Sequence, residues 1–174
     1  MCKPASMVLT KDKVFWSMNT DSHEGIIDEY KLHADGKRGP NILRVEIVPP
    51  NGDRTKPPSK WVFGYDQDVL PSWADAERDE KRTRAALREW KSKRVFVSGH
   101  HEIKSGHVYL CGNAKAVLWG TSSAELWDSS SAVLFGTSSA VSKSRNALIQ
   151  HYVKGELQIE GWVRVSQPEG GEDE

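Results

Sequence analysis

The chain has 174 residues, room for one ordinary domain or two small ones, and its 24 Lys plus Arg balance 24 Asp plus Glu. That neutrality lacks the cationic excess of a duplex-binding surface, so nucleic acid is not an expected partner. No apolar run has the ~18 residues of a membrane span or the make-up of a signal-peptide core, and the two cysteines, Cys2 and Cys111, supply neither a disulfide framework nor a compact zinc pattern. A soluble, cytoplasmic protein without a cofactor is the expectation.

Residues 7–17, MVLTKDKVFWS, form two short strands around a Lys11-Asp12 turn. Asp21 followed three residues later by Glu24 matches a capping box, and Ile26, Ile27, Tyr30 and Leu32 lie on one stripe of the helix it starts. Gly36 and Gly39-Pro40 then break the chain. NILRVEIVPP at 41–50 alternates apolar and polar residues and is stopped by its prolines, a strand with Ile42, Val45 and Ile47 or their neighbours inward. The proline- and charge-rich segment 51–60 is a loop, WVFGYD at 61–66 a strand, and QDVLPSW the extended approach to a helix over about 73–91. That helix alternates acids and bases at spacings that allow i,i+4 pairs. Its apolar stripe, Trp73, Ala76, Ala86, Leu87 and Trp90, is thin, which predicts a surface helix packed by its two Trp ends. RVFVSG at 94–99 is a strand, and the mixture of strands, hairpins and helices makes an α+β domain over 1–99.

The second half repeats itself. Residues 116–123 read AVLWGTSS, 124–131 AELWDSSS and 132–139 AVLFGTSS, with weaker units at 108–115, VYLCGNAK, and 140–147, AVSKSRNA. Each unit is a short alternating stretch followed by small turn formers, a strand plus a tight turn. Near-identity of successive units favours a β-solenoid over a meander, because stacked coils give equivalent residues one environment at the ~4.8 Å strand spacing. With two units per coil, residues sixteen apart stack, Trp119 on Phe135 and Cys111 on Trp127, and the five units make roughly two and a half coils. Glu125 and Lys143 fall on the Val/Trp face, and a buried unpaired charge is costly, so the Ala/Leu face is the interior. The outward face carries a ladder of Trp119, Trp127 and Phe135 that is covered by another part of the chain, joins a second copy, or holds a ligand. ALIQHYV and ELQIEGWVRV, around a Lys154-Gly155 turn, read as capping strands over 148–166, and the acidic tail 167–174 as disordered. The expected fold class is thus α+β, a small N-terminal α+β domain fused to a C-terminal β-solenoid of eight-residue repeats over 100–147.

The opening MCKPAS, the TDSHEGIIDE helix start, the RVEI-x-PP strand and the DQDVLPSW segment together resemble an uncharacterised family of small phage and bacterial proteins. Such proteins join a short N-terminal α+β domain to a tract of short β-solenoid repeats. The likeness implies that architecture and a mobile-element setting, and it assigns no catalytic residue.

Cys2 is the sharpest catalytic candidate. Removal of Met1 would set its thiol beside a free α-amino group, whose pKa of about 7.7–8 suits a base. His23 with Asp66 or Asp68 would furnish a base and the carboxylate that orients it. Against such a hydrolase or transferase, acting on an amide or nucleotide-like substrate, stand too few strands for an αββα scaffold and no oxyanion motif. His100, His101 and His107 with Cys111 form the one metal-like group, and their spacing fits no zinc signature, so no metal is expected. The bases of 78–94 face equal numbers of acids and read as a solvated helix face. The balance favours a non-enzymatic binding protein, a phage or mobile-element accessory factor that meets a host protein or small ligand. Seven Trp beside four Phe and four Tyr draw the recognition surface to Trp16, Trp61 and Trp73, with His23 and Asp66, in the N-terminal domain. The solenoid is then scaffold or homo-oligomer contact, with Trp119, Trp127 and Phe135 as further binding residues.

Overall fold

The computed structural model describes residues 5–33, 35–36, 39–153 and 156–160. The first half runs β1 (Ser6–Leu9), β2 (Val14–Phe15), α1 (His23–Tyr30), a small hairpin of β3 (Asp35–Gly36) and β4 (Gly39–Pro40), β5 (Leu43–Val48), β6 (Val62–Tyr65) and α2 (Ala76–Arg94). Strands in the order β2-β1-β5-β6 form one antiparallel sheet. The alternation read in β5 places Leu43, Val45 and Ile47 on a buried face, where they meet Met7, Leu9, Trp61, Leu87 and Trp90. Val8, on the other face, packs with Ile26, Ile27 and Ile42 beneath α1. The sheet is therefore covered by a helix on each side.

Two local expectations are corrected. Ser22, not Asp21, caps α1, its side chain accepting from the Gly25 N–H, and Asp21 is drawn instead to the guanidinium of Arg94 at 2.8 Å. A carboxylate gains more from a buried opposite charge than from one exposed backbone donor. The second correction concerns α2, which begins at Ala76 behind the N-cap Asp75, so Trp73 precedes it. Its buried stripe is Asp79, Thr83, Leu87, Trp90 and Arg94, helical in period but charged at both ends. Hydropathy could not reveal that stripe, because each charge is buried with partners. Asp79 accepts from Arg78 Nε at 3.1 Å, the Asp75 N–H at 2.9 Å and the Tyr65 hydroxyl at 3.3 Å.

The second half is a β-solenoid of four coils, with β7 (Val95–Phe96) and β8 (His100–Ile103), β9 (His107–Leu110) and β10 (Lys115–Leu118), β11 (Ser123–Leu126) and β12 (Ser131–Phe135), and β13 (Ser139–Ser142) and β14 (Leu148–Val153). Odd-numbered strands stack in parallel in one sheet and even-numbered ones in the other. In the repeat the register advances by sixteen residues, as in Ala116 opposite Ala132 and Ala124 opposite Ala140. Outside it the coil continues on unrelated sequence, fifteen residues back to His100 and seventeen forward to Leu148, which is why there are four coils and not two and a half. Only the inward positions need be apolar, and Phe96, Ile103 and Ile149 meet that need. Of the segment read as capping strands, β14 continues the coil in parallel with β12, and antiparallel β15 (Glu156–Glu160) pairs with β14 at the end of the even-numbered sheet. The Lys154-Gly155 turn, Trp162 and the acidic tail lie outside the described residues.

Each position of the repeat has a structural cause. Ala116, Leu118, Ala124, Leu126, Ala132 and Leu134 fill the narrow interior. Gly112, Gly120 and Gly136 take left-handed φ of 57°, 58° and 71° at the corners. The buried Ser122, Ser130 and Ser138 satisfy corner carbonyls, Ser130 Oγ lying 2.7 Å from the Trp127 carbonyl and Ser138 Oγ 2.9 Å from that of Phe135. The outward ladder differs in one member from the expected one. Trp119 stacks on Phe135 at 4.4 Å and Phe135 on Tyr152 at 5.1 Å, whereas Trp127 belongs to the other sheet, half a coil away. Trp119 and Tyr152 are each 39% exposed, so no described part of the chain covers the ladder.

Candidate functional site

The residues proposed for catalysis come together in part. His23 Nδ1 lies 3.2 Å from Asp66 Oδ2, and its Nε2 lies 3.0 Å from the Val45 carbonyl. The ring is 2% exposed, so what it touches is the sheet and not solvent. Asp68 is exposed on the connection after β6, and Cys2 lies outside the described residues. The three N-terminal tryptophans belong to one hydrophobic cluster, with Trp61 inside it and Trp16 and Trp73 packed partly buried against it. Trp61 is 1% exposed, a core residue set edge-on to Trp90 at 5.9 Å, with its indole N–H donating to the Lys56 carbonyl. Trp16 is half-buried near Lys93, and Trp73 half-buried near Arg78 at the start of α2. Among the histidines, His101 Nε2 meets the Ser98 carbonyl at 2.7 Å and His107 Nδ1 meets Ser123 Oγ at 2.8 Å. Among the described residues no group of three or more His, Cys, Asp or Glu side chains is placed to hold a metal ion.

A different site is built where the 51–55 loop meets the solenoid. A cleft of about 170 Å³ is lined by Asn51, Gly52, Asp53, Arg54, Thr55, Cys111, Trp127 and Asp128. The loop bends through left-handed Asn51 (φ 54°) and Gly52 (φ 74°). It is held from α2, where the Lys91 ammonium donates to the Thr55 carbonyl at 2.8 Å and Arg84 donates to the Pro58 and Trp61 carbonyls at 2.7 and 2.9 Å. Part of the helix face expected to be solvated is thus a clamp on the loop, and burial pushes the Lys91 ammonium below its usual pKa.

Arg54 crosses from loop to coil. Its guanidinium lies 4.0 Å over the Tyr109 ring and 5.4 Å over that of Trp127, and reaches Glu125 at 3.5 Å. Asp53 is held by the Thr55 N–H and hydroxyl, and the hydroxyl's hydrogen bond keeps its carboxyl below the usual carboxylate range. Asp128 occupies the corner that Gly112 fills in the preceding coil, with φ of 56°, and its carboxylate accepts from the Gly112 N–H at 2.8 Å. Burial, with the Asp128 carboxylate nearby, pushes the Cys111 thiol up to about 11. At neutral pH that sulfur is a thiol, a poor nucleophile, and no histidine lines the cleft to activate it. The cleft thus offers an aromatic wall, two carboxylates and an amide.

Arg54, Asn51, Asp53 and Asp128 were not singled out by sequence, yet one signal was present. Unit 124–131 breaks the repeat with two charges, Glu125 for Val and Asp128 for Gly, beside a conservative Ser129 for Thr, and both charged breaks face the loop. No family model, curated protein or solved structure matches the chain. The architecture expected from the sequence is present, α+β elements followed by short solenoid coils. Among the described residues no helix is long and apolar enough to cross a membrane.

Proposed function

We propose that this chain is a non-enzymatic binding protein, an accessory factor of a phage or mobile element, whose ligand is a small uncharged or zwitterionic molecule held in the cleft that Arg54 and Trp127 help to line. The observation that carries the reading is that the cleft coincides with the unit whose outward residues depart from the repeat. Trp127 offers a flat apolar wall, and Asn51 and Asp128 offer hydrogen-bonding groups. Its volume is below the ~300 Å³ at which drug-sized sites begin, which limits an occupant to about one sugar ring or one amino acid. Thermal unfolding with monosaccharides and with free amino acids tests it. A ligand at about 100 times its Kd adds about 2.7 kcal/mol of stability, and Trp127→Ala is expected to abolish the gain. No saturable shift from either class overturns the reading.

A second reading, a cysteine-dependent hydrolase using Cys2, draws support from the His23–Asp66 contact. The burial of that ring weighs against it. Iodoacetamide labelling decides: a Cys2 no faster than a model thiol, and unchanged in His23→Gln, removes the dyad from any such chemistry.

A further inference from the structure

Strand β6 is the outer strand of its sheet, hydrogen-bonded on one side to β5. The Asp66 N–H donates to the Arg44 carbonyl at 2.8 Å, so by the alternation of an antiparallel ladder Val62, Gly64 and Asp66 turn their backbone groups toward β5. Phe63 and Tyr65 then turn theirs away from it. Proteins guard such edges with charge, proline, bulges or very short strands. The opposite edge, β2, is two residues long, whereas VFGY of β6 contains neither charge nor proline, and Val62 is 67% exposed. Beside it an open groove of about 340 Å³ is lined by Val48, Pro49, Val62 and Phe63 among others.

We propose that a second copy of this chain pairs with this edge, β6 against β6, antiparallel about Gly64. This register matches each free group with its complement. Phe63 of one protomer lies opposite the partner's Tyr65, and the reverse, giving four backbone hydrogen bonds from the groups that β5 leaves unused. Gly64 meets the partner's Gly64 on the two-fold axis, where the strands come closest, about 4.5 Å between Cα atoms, and a Cβ at Gly64 would meet nothing within 4 Å in the protomer. The exposed Lys60 before the strand and exposed Asp68 after it are equidistant from Gly64, so each lysine comes to the end of the ladder that carries the partner's Asp68. A parallel pairing would set lysine beside lysine. The antiparallel dimer therefore has an isologous interface, closed by symmetry, and one continuous eight-stranded sheet.

Sedimentation equilibrium of the full chain tests the pairing through a charge swap. The wild-type chain is expected to show a reversible monomer–dimer equilibrium. Lys60→Asp alone and Asp68→Lys alone each set like charges together at both ends and are expected to weaken the dimer about tenfold or more. An equimolar mixture of the two variants restores opposite charges at both ends and is expected to recover association as a heterodimer. Val62→Asp, at an exposed position that leaves the fold intact by circular dichroism, sets a carboxylate opposite the partner's Asp66 and is expected to give a monomer. A wild-type chain that stays monomeric at millimolar concentration overturns the proposal. So does a dimer unmoved by these substitutions, which would place self-association on another surface such as the solenoid.

Discussion

Arg94 and Asp21 are the residues on which the two halves of the chain converge. Arg94 is 0% exposed and donates to both Asp21 carboxylate oxygens at 2.8 and 3.1 Å, to the Ser17 carbonyl at 3.1 Å and to the His107 carbonyl at 2.8 Å. The Tyr109 hydroxyl, from the solenoid, donates to the same carboxylate at 2.6 Å, and burial beside Asp21 raises that phenol well above its ordinary pKa. Removing one member of such a pair leaves the other charge buried and uncompensated, at a cost of about 3–5 kcal/mol. Asp21→Asn is expected to lose stability in that range by urea denaturation, and adding Arg94→Met is expected to recover part of the loss. A loss under about 1 kcal/mol would show that water reaches the guanidinium once the carboxylate is neutral.

The strand-and-corner element carries the second prediction. Gly112 and Gly120 take similar left-handed φ at the two corners of one coil, but an alanine Cβ at Gly112 would stand 2.5 Å from the Val97 carbonyl oxygen, against 3.5 Å from that of Lys104 at Gly120. The Val97 carbonyl also accepts from the Asn113 N–H at 3.2 Å, which resists its moving aside. Gly120→Ala is expected to cost the backbone term alone, about 1–2 kcal/mol. Gly112→Ala is expected to cost at least twice that, and equal midpoints in guanidinium melts would contradict the difference. Asp128 shows how the same corner accepts a side chain, through its own hydrogen bond to the Gly112 N–H in place of glycine's freedom. The periodicity visible in sequence fixed the faces of these strands because a two-residue period and the cost of burying Glu125 leave one solution. It was silent on α2, whose buried Asp79 and Arg94 look like surface residues until their partners are known.

At the scale of the molecule, solenoid and α+β elements share one core. Tyr109 of β9 packs in the cluster of Trp61, Leu87 and Trp90, so the first coils do not stand alone as repeats elsewhere do. His107 lies at this junction, and burial first, then the nearby Arg94 charge, holds its imidazole below the usual histidine pKa. The folded chain therefore takes up that proton less readily than the unfolded chain. Its contribution is present above the unfolded value of about 6.5 and is lost as pH falls from there through the lower folded value. The Tm is expected to drop between about pH 7.5 and about pH 5.5, and to drop less in His107→Gln. Superimposable pH profiles for the two chains would remove His107 as the cause.

Sequence by itself determined the β-solenoid, its sixteen-residue coil, the inward Ala/Leu face and the α+β character of what precedes it. Those follow from local pattern, where period and side-chain type act within a few residues. Only the tertiary structure decided that Asp21 serves Arg94 across 73 residues of chain, that Trp61 is core, that Tyr152 completes the aromatic ladder, and that Arg54 meets a broken repeat to form a cleft. These depend on which distant charges and rings are brought within a few ångströms, and the energy of a buried pair belongs to the pair, so neither member announces it alone. The Trp excess of the composition divides the same way: Trp119 and Trp127 are set by the coil, while Trp61 and Trp90 are set by the packing of sheet, helix and solenoid together.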